Sequence, residues 1–201
     1  IIVLDNLRTG HRRNLDGLQC RFVEGSILDQ KLLGQLLEGV DYVFHLAALV
    51  SVPESMERLN ETIEINVRGF LNVLEAARKA KVKKLVFASS AAVYGEDPAP
   101  FKLESQTPDP QSPYAITKLD GEYYCKLFTR ENGLSTASLR FFNVFGSRQD
   151  PNGAYAAAVP IFLKQAREGK PIAIYGDGKQ TRDFIYVKDI VGALAFAAER
   201  I

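Results

Sequence analysis

The sequence has little of what metal sites, disulfide frameworks and membrane spans are built from. It holds two cysteines, Cys20 and Cys125, and two histidines, His11 and His45. Two isolated cysteines form no disulfide framework and are typical of a reducing compartment, while two separated histidines argue against a zinc site. A membrane-spanning helix needs about 18 or more consecutive apolar residues, and no such run occurs. We therefore expect a cytoplasmic protein that is independent of membranes.

An excess of charge of one sign is also absent. The 25 basic residues are balanced by 24 acidic ones, for a formal net charge of +1. This balance gives no electrostatic basis for binding nucleic acid or an anionic membrane. The length of 201 residues allows one domain, or one and part of another. Because the chain starts without methionine inside an apolar run and stops in an alanine-rich helical pattern, we expect an internal fragment.

What the sequence does contain is an alternation of apolar runs with amphipathic stretches. The runs that favour strands are 1–4, 20–23, 41–46, 84–88 and 135–142, and the stretches that favour helices are 28–39, 60–81 and 112–132. Such alternation predicts an α/β fold, namely a Rossmann-type doubly wound parallel sheet. Ligands of these sheets bind at the carboxyl ends of the strands.

The pattern weakens beyond residue 145, where a helix at 156–169 and a short strand at 171–178 are predicted. We therefore predict two regions. Residues 1–145 form a dinucleotide-binding domain, and residues 146–201 begin a smaller substrate-binding region.

The most informative residues are a tyrosine and a lysine, Tyr114 and Lys118, downstream of Ser90. On a helix their i, i+4 spacing places the phenol and the ammonium on one face. A neighbouring cation favours the phenolate, so we expect the pKa of Tyr114 to fall below its ordinary value of about 10. The Ser90 hydroxyl can orient a substrate alcohol whose proton the phenolate removes. The three residues together predict alcohol oxidation by hydride transfer, whereas Tyr114 and Lys118 alone could be a solvated pair.

An acidic residue, Asp5, ends the first predicted strand. In dinucleotide-binding folds such a carboxylate accepts hydrogen bonds from the adenine ribose and repels a 2′-phosphate. A turn cap is the alternative interpretation. The nearby Arg8, Arg12 and Arg13 weaken the preference for NAD over NADP without reversing it.

Four further polar residues each allow two interpretations. Asn66 and Asn143 could be a surface residue and a turn residue, or they could contact ligands. Arg182 could pair with a neighbouring aspartate, or it could bind a phosphate through its planar guanidinium. His45 lies on an apolar strand, which favours a packed core histidine over a catalyst.

Six segments in order resemble the extended short-chain dehydrogenase/reductase family, in particular its UDP-glucose and UDP-N-acetylglucosamine 4-epimerases. They are VFHLAA at 43–48, INVRG at 65–69, ASSAAVYG at 88–95, SPYAITK at 112–118, LRFFNVFG at 139–146 and GDGKQTRDF at 176–184. The resemblance implies NAD as cofactor and a UDP-sugar as substrate. It also implies a homodimer formed through helices at 60–81 and 112–132.

The resemblance implies a role for individual residues of this chain. Ser90, Tyr114 and Lys118 would be catalytic. Those expected at the cofactor are Asp5, Asn6, Thr9, Gly10, Ser26, Ile27, Leu46, Ala47, Ala48, Asn66, Ala88, Tyr114, Lys118 and Phe141. Those expected at the nucleotide sugar are Ser90, Tyr114, Asn143, Ala158, Ala173, Tyr175 and Arg182.

Departures from the family pattern refine the expected reaction. The family's first strand and its glycine-rich turn are absent from this chain, as is the C-terminal part of the substrate region. Ala91 and Ala92 stand where the family's 4,6-dehydratases have an Asp-Glu pair and its decarboxylases have a glutamate at the second position. Without those proton carriers, the resemblance implies 4-epimerisation of a UDP-hexose through a transient 4-keto sugar. A related dehydratase or reductase and a non-catalytic NAD(P)-binding regulator are the alternatives.

Overall fold

The computed structural model describes residues 1–97, 99, 101–151 and 157–200. Strands and helices alternate along the chain, as the sequence predicts. The strands are β1 (Ile2–Asp5), β2 (Arg21–Glu24), β3 (Tyr42–His45), β4 (Lys84–Ser90), β5 (Ser135–Phe141), β6 (Asn143–Phe145) and β7 (Phe184–Tyr186). The α-helices are α1 (Gln30–Leu36), α2 (Val52–Glu57), α3 (Leu59–Ile63), α4 (Phe70–Lys79), α5 (Pro113–Asn132), α6 (Ala158–Arg167) and α7 (Val187–Arg200). Short 3₁₀ turns cover Arg12–Leu15 and Ala91–Tyr94.

Parallel pairing organises the strands into three small sheets. The first pairs β1 with β2, the second has the order β3-β4-β5, and the third pairs β6 with β7. The pairs β1–β2, β3–β4 and β6–β7 are all parallel. With the helices between the strands, this confirms a Rossmann-like α/β fold.

The sequence predicts one continuous sheet, but β1 and β3 belong to separate sheets. A cavity of about 820 Å³ is lined by both strands, from Ile1–Asp5 on one side and Tyr42–Ala47 on the other. Its lining is mostly apolar, and Phe44 and Leu46 are 44% and 53% exposed.

The chain forms two compact units. The first comprises Ile1–Arg140 together with Leu194–Ile201, and the second comprises Phe141–Ala193. The predicted division into a dinucleotide-binding domain and a substrate-binding region near residue 145 stays a prediction.

The core of the first unit lies where α1, α4 and α5 cover β3 and β4. Leu74 and Leu85 are fully buried there, and Phe70 and Phe87 stack with ring centroids 4.4 Å apart. Helix α5 approaches β4 closely at Gly121, where an added Cβ would lie 2.4 Å from Phe87 Cζ. Only glycine allows this separation without displacing the ring.

The predicted helix at 60–81 is found as consecutive helical segments whose hydrogen-bonding pattern changes along the chain. Residues Glu64–Gly69 form a π-helical segment between α3 and α4. Such segments often occur at functional sites because they reorient side chains within a helix. Asn66 lies in this segment and is buried.

The predicted strand at 171–178 is wrong. Pro171–Tyr175 has no regular structure, and it leads into a turn at Gly176 and Asp177. Ile172, Ile174 and Tyr175 are 43%, 64% and 83% exposed, so their strand propensity is not supported by packing. The strand of this region is β7, whose partner is β6. The predicted helix at 156–169 is found as α6, and Ala156 lies outside the described residues.

Candidate active site

Helix α5 carries Tyr114 in its first turn. The Ser112 hydroxyl accepts a hydrogen bond of 3.2 Å from the Ala115 amide, and Pro113 starts the helix with a residue that has no N–H to satisfy. The Tyr114 amide donates to the hydroxyl of Ser55 at 3.2 Å, and Ser55 is completely buried in α2. Both the cap and α2 therefore hold Tyr114 in place.

Lys118 lies one turn later and is 4% exposed. Its ammonium donates a hydrogen bond of 2.7 Å to the carbonyl oxygen of Ala88, near the end of β4. The same nitrogen lies 4.9 Å from the centroid of the Phe87 ring and 5.7 Å from that of Tyr114. The two aromatic faces and the carbonyl give the ammonium favourable contacts in place of water.

Burial decides the pKa of both residues. It lowers the pKa of Lys118 from 10.5 to about 8, because the charged form is the one that loses hydration. It raises the pKa of Tyr114, and a hydrogen bond with Ser90 opposes this increase. The expectation of a lowered Tyr114 pKa is therefore wrong for the chain without ligands. The Lys118 ammonium is directed to Ala88, and the loss of hydration at the phenol is the larger effect.

Ser90 completes the predicted triplet at the carboxyl end of β4. Its hydroxyl accepts a hydrogen bond of 3.1 Å from the Ala92 amide and also interacts with Tyr114. The structure thus brings together the serine, the tyrosine and the lysine, although Ser90 and Tyr114 are 24 positions apart in the sequence. This arrangement can orient an alcohol, remove its proton and stabilise the resulting charge.

Asn66 connects this helix to the loop after β3. Its side-chain amide donates to the Leu49 carbonyl at 3.0 Å and to the Thr117 hydroxyl at 3.1 Å. Its side-chain oxygen accepts from the Leu49 amide at 2.8 Å. Thr117 in turn donates to the Tyr114 carbonyl at 2.8 Å. Asn66 therefore fixes the loop on one side and the first turn of α5 on the other.

One cavity gathers most of the residues predicted at the adenosine half of the cofactor. It measures about 190 Å³ and lies at the carboxyl ends of β1, β2 and β3. Eight predicted cofactor residues line it: Asp5, Asn6, Thr9, Ser26, Ile27, Leu46, Ala47 and Ala48. Gly10 lies beside it, since a Cβ added there would be 3.7 Å from an Asp5 carboxylate oxygen. The Asp5 carboxylate can accept hydrogen bonds from ribose hydroxyls, and the other polar and apolar lining residues fit an adenine.

The residues predicted for the substrate in the second unit lie in three places. Asn143 starts β6, and its side chain donates a hydrogen bond of 2.8 Å to the carbonyl of Asp183, which follows Arg182. Arg182 is exposed and donates to the carbonyl of Thr181 at 2.7 Å. Ala158 begins α6, whereas Ala173 and Tyr175 are exposed in the irregular segment before β7. Phe141, predicted at the cofactor, is the last residue of β5.

Several polar contacts of the site are not evident in the sequence. Glu122 accepts hydrogen bonds from Ser89 at 2.6 Å and from Arg140 through both carboxylate oxygens at 2.8 Å. The Arg140 guanidinium also lies 4.7 Å from the centroid of the Tyr94 ring. Glu122 follows Lys118 by one helical turn, which is the signal that could have identified it.

His45 is a packed core residue, as predicted. It is 5% exposed and stacks on Phe70 with a centroid separation of 4.6 Å. Burial, with a smaller contribution from the Lys118 charge, lowers the pKa of His45 to about 3. The imidazole is therefore neutral at physiological pH.

No cluster of three or more potential metal ligands occurs within the described residues. None of the helices in the described ranges has both the length and the apolarity needed to cross a bilayer.

Comparison with known proteins identifies the family of this chain. The model of the NAD dependent epimerase/dehydratase family matches residues 1–201. The chain belongs to this family. A putative UDP-glucose 4-epimerase of Methanocaldococcus jannaschii is 42% identical to this chain over 196 residues. These residues cover 96% of this chain and 63% of the relative. The chain thus spans less than two thirds of that relative's length.

Solved structures of the family agree closely with this fold. The UDP-N-acetylglucosamine 4-epimerase of Methanobrevibacter ruminantium, in complex with UDP-N-acetylmuramic acid, has a TM-score of 0.95 at 42% identity, covering 98% of this chain and 64% of that one. The UDP-glucose 4-epimerase of Thermus thermophilus, in complex with NAD, has a TM-score of 0.91 at 37% identity, covering 100% and 67%. These findings confirm the prediction that the cofactor is NAD.

Proposed function

We propose that the protein containing this chain catalyses the NAD-dependent 4-epimerisation of a UDP-hexose through a transient 4-keto sugar. The observation that carries the proposal is the convergence of Ser90, Tyr114 and Lys118 at the end of β4. Their chemistry suits the oxidation of a secondary alcohol. NAD, when bound, accepts a hydride from the sugar and returns it.

Each residue of the triplet has a distinct task. Ser90 holds the 4-hydroxyl oxygen of the sugar, and Tyr114 takes its proton as a general base. Lys118 supplies the nearby positive charge that favours the phenolate over the phenol. Burial raises the pKa of Tyr114 in this chain. The positive charge of a bound nicotinamide would act with that of Lys118 to lower it.

The neighbourhood of Ser90 supports epimerisation over elimination or decarboxylation. Ala91 and Ala92 begin the 3₁₀ turn that Ser90 caps, so the two positions after the catalytic serine carry no titratable group. A dehydratase must move a further proton to expel water, and these positions provide no carrier for it. Tyr114 alone suffices for removing and returning one alcohol proton.

The second unit supports a nucleotide diphosphate as the anchor of the substrate. Asn143 and Arg182 are both bonded to neighbouring carbonyls of the segment 181–183, so they present an amide and a guanidinium in one region. A guanidinium binds diphosphate oxygens well. Ala158, Ala173 and Tyr175 are proposed to border the uridine. Anchoring through the nucleotide leaves the sugar free to turn over between oxidation and reduction.

We also propose a homodimer formed through α3 and α5, which pack against each other. Ile116, Tyr123 and Leu127 of α5 are 50%, 56% and 40% exposed, and Leu59 and Ile63 of α3 are 47% and 45% exposed. Exposed apolar and aromatic side chains on two helices in contact support a subunit interface there. Sedimentation of the wild type and of Tyr123→Glu tests the proposal, since a charge in the patch should yield monomers.

The reaction is tested on the full-length protein with UDP-galactose and, separately, UDP-N-acetylgalactosamine. Proton NMR of the anomeric signals should show the gluco epimer without net consumption of nicotinamide. The variant Tyr114→Phe should lose at least about a hundredfold in turnover. A 4-keto-6-deoxy product, net NADPH consumption, or binding of NAD without any conversion would each contradict 4-epimerisation.

A further inference from the structure

Arg8 lies three residues after Asp5 and lines the same cavity of about 190 Å³. A guanidinium beside the adenine ribose is the group with which dinucleotide-binding folds accommodate a 2′-phosphate. Arg12 and Arg13 are not among the residues that line this cavity, and Arg12 lies 5.2 Å from the centroid of the Phe22 ring. Arg8 is therefore the basic residue whose orientation bears on the choice between NAD and NADP.

Two carboxylates already hold this guanidinium. Arg8 Nη2 lies 2.8 Å from Glu54 Oε1, and Arg8 Nη1 donates to Glu61 Oε1. The hydrogen bond from Arg8 lowers the pKa of the Glu61 carboxyl. The side chains of Arg8 and Glu54 are 29% and 18% exposed, so solvent screens their attraction only in part.

A second arginine, Arg58, also faces these carboxylates but contacts them less closely. Its guanidinium lies 3.7 Å from Glu54 and 3.4 Å from Glu61, and its side chain is 58% exposed. Arg8 therefore makes the shorter contact to each carboxylate. The Arg8 charge is therefore matched locally by carboxylates, whereas the Asp5 carboxylate accepts a hydrogen bond from the Leu7 amide.

The position of Glu54 is fixed by α2. Its amide donates to the Ser51 hydroxyl at 3.2 Å, which caps the helix. The next residue, Ser55, is completely buried, and its hydroxyl accepts a hydrogen bond from the Tyr114 amide. Because α2 is anchored to the catalytic helix, Glu54 cannot easily follow Arg8 towards a ligand.

We propose that Glu54 and Glu61 determine the preference for NAD over NADP by holding Arg8 away from the 2′ position of the adenine ribose. A 2′-phosphate must break these contacts to recruit Arg8, and until then it meets the charge of Asp5. The inference rests on the proposed placement of the ribose at Asp5. It does not depend on which sugar is the substrate.

The test is equilibrium binding of NADP and NAD to the full-length protein, freed of bound nucleotide and measured by calorimetry. The variant Glu54→Gln/Glu61→Gln removes both charges with little change of shape. We expect its Kd for NADP to fall by about tenfold or more, while that for NAD changes less than about threefold. Adding Arg8→Met to this variant should abolish the gain.

Two controls separate the possible outcomes. Glu57→Gln removes an exposed carboxylate from the same helix, and its nucleotide affinities should match those of the wild type. An unchanged NADP affinity in the folded double variant, or an equal gain without Arg8, overturns the inference. If Asp5→Ala leaves NAD binding unchanged, the ribose placement itself is wrong, and the inference falls with it whatever the result of the sugar assay.

Discussion

The ammonium of Lys118 donates a hydrogen bond of 2.7 Å to the Ala88 carbonyl, so helix α5 is linked to the strand that ends in Ser90. The contact places the Lys118 ammonium 5.7 Å from the centroid of the Tyr114 ring. In this position the ammonium has lost most of its hydration. Burial lowers the pKa of Lys118 to about 8. The site therefore holds a cation that is costly to bury, which is a common property of catalytic groups.

The first prediction concerns Lys118 and the pH dependence of stability. Its pKa is about 8 when folded and near 10.5 when unfolded, so the unfolded state binds more protons between these values. Stability should therefore rise with pH across this window. Relative to Lys118→Met, the wild type should gain about 2 kcal/mol of unfolding free energy from pH about 8 to about 10. Urea denaturation at several pH values measures the difference, and parallel curves for the two proteins would rule out the shift.

A second prediction concerns Ser90 and the pH dependence of the reaction. Its hydrogen bond lowers the pKa of Tyr114, so removing the hydroxyl should raise that pKa further. In Ser90→Ala the acid limb of log kcat/KM against pH should move to higher pH, and the plateau should drop by about tenfold or more. Ser90→Thr keeps a hydroxyl and should retain the acid limb of the wild type. An acid limb in Ser90→Ala at the wild-type pH would show that Ser90 does not tune Tyr114.

A third prediction uses two helical glycines with opposite surroundings. At Gly121 an added methyl would lie 2.4 Å from Phe87 Cζ, whereas Gly34 in α1 has no atom within 4 Å of that position. Gly121→Ala should destabilise the protein by about 1–3 kcal/mol and reduce turnover, because Phe87 contacts the Lys118 ammonium. Gly34→Ala should instead stabilise it by about 0.5–1 kcal/mol. Thermal unfolding compares the two, and equal effects would mean that helix propensity alone decides.

The fourth prediction concerns the ion pair of Glu122, which is buried, and Arg140, which is partly buried. Arg140→Ala leaves the buried carboxylate without its partner, which should cost about 3–5 kcal/mol, and Glu122→Ala should cost less because solvent reaches the guanidinium. The double variant should cost clearly less than the sum of the two, since no unpaired charge remains. Urea denaturation of the four proteins gives the coupling energy, and purely additive costs would exclude a strong pair.

Local pattern was sufficient to predict the helix that carries Tyr114 and the strand that carries Ser90. The helix at 112–132 starts at a serine cap and a proline and ends at Gly133, whose φ of 68° stops it. These signals lie within a few residues of one another, so they can be recognised without the fold. The same holds for the alternation that predicts the α/β class and for the segments that carry the family resemblance.

Tertiary structure decided the electrostatics of the site and its long-range contacts. The pKa of Tyr114 is raised because the hydration lost on burial outweighs the hydrogen bond with Ser90, while the Lys118 ammonium is directed to the Ala88 carbonyl. Arg8 is held by two carboxylates that lie 46 and 53 positions away in the sequence. The run at 171–178 has strand propensity but remains exposed without a partner strand. Burial and contacts between distant residues arise only when the chain is folded. For that reason the sequence by itself determined the α/β class, the helix at 112–132 and the triplet of Ser90, Tyr114 and Lys118. The pKa values of Tyr114 and Lys118 and the partners of Arg8 were decided by the tertiary structure.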